Sequence, residues 1–253
     1  MPPAPKIRLE TSEAVATLWI DHPPLNLLTL AMVDEFSKVM PALEKDDGIL
    51  AVVVAGAGTQ FSGGMDLREW SRLSPKDAQD AITRGSDAFM ALEHLTKPTV
   101  AAVAGLCRGA GAELALACDL RIADETAMFS HPEIRVAWMP SHGATARLPR
   151  LIGRSKALEV LLSGKEVRAL DALRLGLVDH LASPGGALPE ARKLAALFAS
   201  KPRSAVKAIK RALTEGEEKP YRNRFLLESQ HAVQLLWSDE YKAAMDRLRE
   251  KKD

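Results

Sequence analysis

Residues 97–119 read KPTVAAVAGLCRGAGAELALACD, and the succession of patterns within them decides the fold. Residues 98–104 (PTVAAVA) form a continuous apolar run of strand length, as expected of a strand covered on both faces. The glycine-rich residues 105–111 follow and lead directly into small apolar residues up to Ala117, which read as a helix. Residues 119–123 (DLRIA) then supply another short strand. A strand, a glycine loop, a helix and a further strand in succession predict right-handed crossovers and a largely parallel α/β core.

The same alternation extends upstream. Residues 14–20 (AVATLWI) form a strand candidate that stops at His22-Pro23-Pro24. Thr29 is a helix cap for an apolar stripe of Met32, Val33, Phe36, Val39, Met40 and Leu43. Residues 49–55 (ILAVVVA) are a second continuous apolar run, closed by a loop over residues 56–64 that holds four glycines. Ser74-Pro75 opens another helix, with Ala78, Ile82, Phe89 and Leu92 as its apolar positions. After about residue 150 the pattern is mostly helical, over 154–162, 168–175, 188–199, 203–214, 222–236 and 239–250. Gly164, Gly176 and Gly216 fall where helices should stop. The expected division is an α/β core over residues 1–195 and a helical C-terminal region over 196–253 that forms a layer or an oligomer contact. The basic end of the last helix, with Lys251 and Lys252, suits the helix dipole or an anion.

Composition removes several classes of function. With 34 basic and 33 acidic side chains the net charge is +1, which favours neither nucleic acid nor an anionic membrane as partner. Cys107 and Cys118 form no CxxC, and the six histidines make no metal-binding spacing, so no metal site is expected. No apolar run approaches the roughly 20 residues of a spanning helix, and residues 1–6 lack the features of a targeting segment. A cytoplasmic location is the expectation.

The chemistry concentrates in the loops after the two most apolar strands, residues 61–67 (FSGGMDL) and 105–113 (GLCRGAGAE). Loops at the carboxyl ends of parallel strands are where such sheets build sites. Small residues let backbone N–H groups reach a ligand, and the amide of a residue such as Ala110 begins a helix. Two converging amides can hold a carbonyl oxygen that gains negative charge, although the same glycines could serve only as tight turns. Glu113 lies one helical turn past Ala110 in an apolar run, which should desolvate its carboxylate. Glu133 lies in a loop beyond the next strand, and the two together suggest an acid and a base. Residues 109–114 also approach a dinucleotide loop, but Leu114 stands where its third glycine belongs. No GxSxG elbow is present, because Met139 precedes Pro140-Ser141-His142-Gly143.

In order along the chain, Asn26 to Thr29, residues 61–67, residues 97–119, Pro132-Glu133-Ile134, residues 147–153 and residues 169–179 resemble the enoyl-CoA hydratase/isomerase (crotonase) superfamily. The resemblance implies a crotonase-like ββα spiral with a helical C-terminal trimerisation region, assembled as a homotrimer or a dimer of trimers. It implies an acyl-CoA thioester as substrate, with coenzyme A part of that substrate and no separate cofactor. The oxyanion-hole amides would be those of Met65 and Ala110. Coenzyme A would lie against Leu25, Leu27, Ser62, Asp66, Leu67 and Arg68. Glu113 and Glu133 match the two glutamates of the hydratases, which implies syn addition of water to a trans-2-enoyl-CoA. One segment departs from the family: Val136 to Ala144 replaces a glycine-rich run, and Ser141 stands where a glycine helps position the water. Trp138, Met139 and Trp70 would add bulk near the acyl group or pack in the core. The departure keeps open a branched or cyclic acyl group, and an isomerase, decarboxylase or hydrolase. A non-catalytic acyl-CoA-binding subunit is the reading from another class.

Overall fold

The computed structural model describes residues 5–250. Its large sheet has the order β1 (Lys6–Ser12), β2 (Val15–Asp21), β3 (Ala51–Gly56), β4 (Thr99–Val103), β6 (Leu120–Asp124) and β9 (His180–Ala182). Only β1 and β2 pair antiparallel in it; the other neighbours are parallel. A small sheet sets β5 (Leu106–Arg108) parallel to β7 (Met128–Ser130), which pairs antiparallel with β8 (Val167–Arg168).

The apolar runs are buried on both sides, as a parallel sheet requires. Leu18, Ile20, Val52, Val54, Ala101 and Val103 share one core with the buried faces of α1 (Leu30–Lys45), α3 (Pro75–Glu93) and α4 (Ala110–Leu116). Alternate residues, Val15, Ala51, Val53, Val100 and Ile122, meet Ala187, Ala191 and Ala195 of α8 (Ala187–Ala199). Three alanines at about one-turn intervals let α8 lie close on the sheet. The expected boundary between residues 195 and 196 falls inside this helix.

The chain advances in ββα turns. β4, β5 and α4 form one; β6 and β7 with α5 (Ala144–Ile152) and α6 (Arg154–Ser163) form the next. The helix α7 (Ala169–Leu175) then returns the chain to β9. The short α2 (Leu67–Trp70) leaves the first glycine loop. Helix α5 forms in spite of Pro149, a residue type that is unfavourable in a helix interior. It forms because Ala144, Arg147 and Leu148 are buried. In α3 the buried residues are Ala81, Gly85, Ala88, Phe89 and Leu92, so the stripe runs through Gly85 and leaves Ala78 and Ile82 at its margin.

The C-terminal helices α9 (Arg203–Gly216), α10 (Tyr221–Leu236) and α11 (Asp239–Glu250) follow α8, with Leu213 72% and Trp237 75% exposed. Lys251 and Lys252 lie outside the described residues. Among the described residues no helix is long and apolar enough to cross a membrane, and no cluster of His, Cys, Asp and Glu has the makings of a metal site.

Candidate active site

The two glycine loops are tied to each other by backbone hydrogen bonds. Ser62 N donates to Leu106 O at 2.9 Å, and Arg108 N donates to Ser62 O at 2.9 Å. On its other side the first loop pairs with the segment after β2, where Leu28 N donates to Gly64 O (2.8 Å) and Asp66 N to Leu28 O (3.0 Å). Asn26, fully buried, anchors that segment: its Nδ2 donates to Ala57 O (2.8 Å) and Gln60 O (2.6 Å). These bonds occupy the amides around Met65 but leave its own. Among the described residues, neither Met65 N nor Ala110 N donates to a protein acceptor.

Two glycines make this geometry possible. Gly64 has φ +97°, and a Cβ on it would lie 2.9 Å from Arg108 O, so only glycine lets the loops close to this distance. Gly109 has φ +50°, and a Cβ there would lie 3.0 Å from Glu133 Oε1. The carboxylate of Glu133 therefore sits directly against the residue preceding Ala110.

A cavity of about 340 Å³ opens beside these amides. Met65, Ala110, Glu113, Glu133, Leu67 and Ser141, all singled out in the sequence, line it together. Trp70, Val136, Trp138 and Met139 form its apolar wall, with Trp70 and Trp138 edge to face at 6.2 Å. Leu25, Leu27, Ser62, Asp66 and Arg68 do not line the cavity. Leu25 and Leu27 pack against Gly63, and the Leu25 carbonyl accepts from Gly63 N. The Ser62 hydroxyl donates to Asn26 O (2.8 Å) and accepts from Gly64 N (3.2 Å), and the residue is fully buried. Asp66 caps α2 and pairs with Arg68, whose side chain is exposed.

The two glutamates occupy opposite electrostatic environments. Glu113 is 1% exposed, and its Oε1 accepts from His142 N (2.8 Å) and Ala144 N (3.0 Å). Burial alone would raise its pKa; the facing His142 ring and the two amides outweigh this and hold it below the usual glutamate value. Glu133 lies on a 3-10 turn, Pro132–Val136, and its Oε2 is buried without a partner. Loss of water, with a smaller contribution from the charge of Glu113, pushes its pKa up to about 7. One carboxylate is thus held ionised and the other is poised to carry a proton near neutral pH.

His142 is the site residue that sequence reasoning passed over. Its Nδ1 lies 3.4 Å from Glu113 Oε2 and 3.1 Å from Ser141 Oγ. Its ring packs against Phe89 and Trp70. The signal was present in the anomalous run Pro140-Ser141-His142-Gly143, but a loop histidine alone does not reveal which carboxylate it meets.

The α/β spiral and a cavity holding two free amides and two unlike glutamates define the class of protein, and comparison with known proteins places it. A sequence model of the enoyl-CoA hydratase/isomerase family matches residues 10–253. The chain is 33% identical to a probable enoyl-CoA hydratase of Bacillus subtilis (strain 168), over 97% of this chain and 96% of that one. It is 32% identical to the short-chain-enoyl-CoA hydratase of Clostridium acetobutylicum, over 96% and 94%. The crystal structure of an enoyl-CoA hydratase from Bacillus anthracis superposes with a TM-score of 0.93 at 28% identity, covering 97% of this chain and 96% of that one. The chain belongs to the enoyl-CoA hydratase/isomerase (crotonase) family and has its fold, with two sheets and C-terminal helices.

Proposed function

We propose that this protein is an enoyl-CoA hydratase that adds water syn across the double bond of a trans-2-enoyl-CoA. The observation that carries this reading is the pair of glutamates on one cavity wall, one held ionised and one with its pKa near 7. The thioester oxygen would accept from Met65 N and Ala110 N, so that the charge of the enolate forms against two fixed donors. Glu113 takes a proton from the water attacking C3, and Glu133 supplies the proton to C2. Each donor of such a hole is worth about 100- to 1000-fold in rate. The pantetheine arm would pass Leu25, Leu27 and Leu67, while Ser62 and Asp66 shape the loop beside it and Arg68 is exposed nearby. Several relatives carry hydratase names, which supports the same reaction. The exposed apolar residues of α9 and α10, such as Leu213, Tyr221 and Phe225, fit burial in a homotrimer or a dimer of trimers.

The test is loss of enoyl absorbance with crotonyl-CoA and a panel of branched and aromatic enoyl-CoA thioesters. Turnover of at least one is expected; a folded protein that turns over none overturns the reading. A second reading draws on the partners of Glu113, whose oxygens already face two amides and an imidazole. In that reading Glu133 alone shuttles the proton, as in a Δ3-Δ2 isomerase. Glu113→Gln would then keep most activity on a 3-enoyl-CoA while Glu133→Gln abolishes it.

A further inference from the structure

His142 is 2% exposed, yet it lies on a loop and its Nε2 has no partner. A buried ring nitrogen left unpaired costs stability, so the contacts made by the rest of the ring must offset that cost. Here Nδ1 faces Glu113 Oε2, while Glu113 Oε1 is held by the amides of His142 and Ala144. An ionised Glu113 selects the form of the ring that carries its proton on Nδ1. The ring enters only because residue 85 of α3 is glycine: a Cβ there would lie 2.5 Å from both Cδ2 and Nε2 of His142. The loop itself is fixed to the same helix, because Ser86 Oγ donates to Ser141 O at 2.9 Å. Arg147 Nη1 donates to His142 O at 2.7 Å and is itself paired with Glu93.

We infer that His142 is a positioning residue seated on Gly85, which holds the second oxygen of Glu113 so that the carboxylate keeps one orientation toward the cavity. The inference rests on the acid/base reading of Glu113. It adds that the base is the pair and that helix α3 supplies its seat. The Ser141 hydroxyl, 3.1 Å from the same Nδ1 and on the cavity wall, has its orientation set by the ring. The other ionisable groups facing the pair are Glu133 of the 3-10 turn, His131 just before it, and Arg147 of α5 with its partner Glu93 of α3. The remaining neighbours of the ring, Trp70 and Phe89, carry no charge.

The test compares His142→Ala, His142→Asn, Gly85→Ala and the double variant Gly85→Ala/His142→Ala, using the enoyl-CoA turned over best. His142→Ala is expected to lower kcat at least tenfold with little change in KM. It should also move the acidic limb of the pH profile to higher pH, because Glu113 loses its partner. His142→Asn keeps a donor near the Nδ1 position and should restore most of the loss. Gly85→Ala should resemble His142→Ala, and the double variant should be no worse than either, because both remove the same contact. An unmoved acidic limb in His142→Ala, an Asn variant as impaired as Ala, or additive losses in the double variant overturns the inference.

A second readout needs no turnover and separates this inference from the reaction proposed above. In long-range 1H–15N spectra of the histidine rings, the His142 signals should report a proton on Nδ1. They should shift in Glu113→Gln and stay in place in Glu133→Gln. A proton on Nε2 alone, or signals indifferent to Glu113→Gln, overturns the pairing even if hydration is observed. The expected shift with no thioester turned over would leave the pairing standing while the hydratase reading falls.

Discussion

Glu133→Gln should make the protein more stable at alkaline pH than at acidic pH, relative to the wild type. Burial raises the Glu133 pKa from 4.5 to about 7, so the folded protein holds a proton that the unfolded chain releases between those values. Stability therefore falls as pH rises from 4.5 toward 7, because folding must either retain that proton or bury a charge. At about 1.4 kcal/mol per pH unit the full penalty would be about 3 kcal/mol above pH 7. Glu133 is only partly buried, and solvent screening reduces this to about 1–2 kcal/mol. Glutamine removes the ionisation and keeps the shape. Urea unfolding followed by tryptophan fluorescence, at fixed protein concentration and at about pH 5 and 8, measures the difference. The expected result is that the variant gains about 1–2 kcal/mol over the wild type between the two conditions. An equal difference at both pH values would mean that Glu133 ionises normally in the fold, and its place as proton donor near neutrality would lose its physical basis.

Ala110→Pro removes one oxyanion N–H at the first position of a helix, where proline is tolerated, and should cost about 100- to 1000-fold in kcat without unfolding the protein. A folded variant retaining more than a tenth of the activity would remove this amide from the mechanism. Gly109→Ala forces a side chain onto a backbone at φ +50° and against Glu133 Oε1, and should destabilise by about 1–3 kcal/mol in denaturant unfolding and depress activity together. The rate of hydration should fall as pH rises through about 7, where Glu133 gives up its proton, and Glu133→Gln should abolish that dependence along with most of the rate. Leu213→Glu places a charge on an exposed apolar face of α9 and should shift the proposed trimer toward monomer in sedimentation, while a wild type that is monomeric at micromolar concentration would refute that assembly.

The parallel core was legible because runs such as residues 98–104 must be strands covered on both faces, and they are. Strand β1 was not, since its residues are mostly exposed on a sheet edge and carry no alternation strong enough to read. Helix α3 was legible, but its buried stripe shifted to include Gly85, a position whose reason is a histidine 57 residues further along the chain. Helix α5 was missed because Pro149 reads locally as a breaker, whereas its burial is decided by tertiary contacts. At the site, the glutamates and glycine loops stood out in the sequence. Their convergence did not, because the bonds that bring them together join residues 26–28, 62–66 and 106–108, which local patterns cannot relate. The donors that hold Glu113 ionised come from the loop over residues 136–144, and their meeting on one carboxylate oxygen is a long-range contact that local sequence does not carry.

The ladder joining Ser62 to Leu106 and Arg108 has a consequence for how such a site can change over time. The spacing of the two candidate oxyanion amides is set by main-chain bonds, and no side chain on the cavity wall takes part in them. Substitutions at Trp70, Trp138 or Met139 can therefore resize the chamber for a different acyl group while leaving the point at which a carbonyl would dock unmoved. The docking point for a carbonyl and the shape of the chamber around it are, in effect, separately heritable, with Trp70, whose ring also meets His142, a wall residue that touches both the chamber and the partner of Glu113.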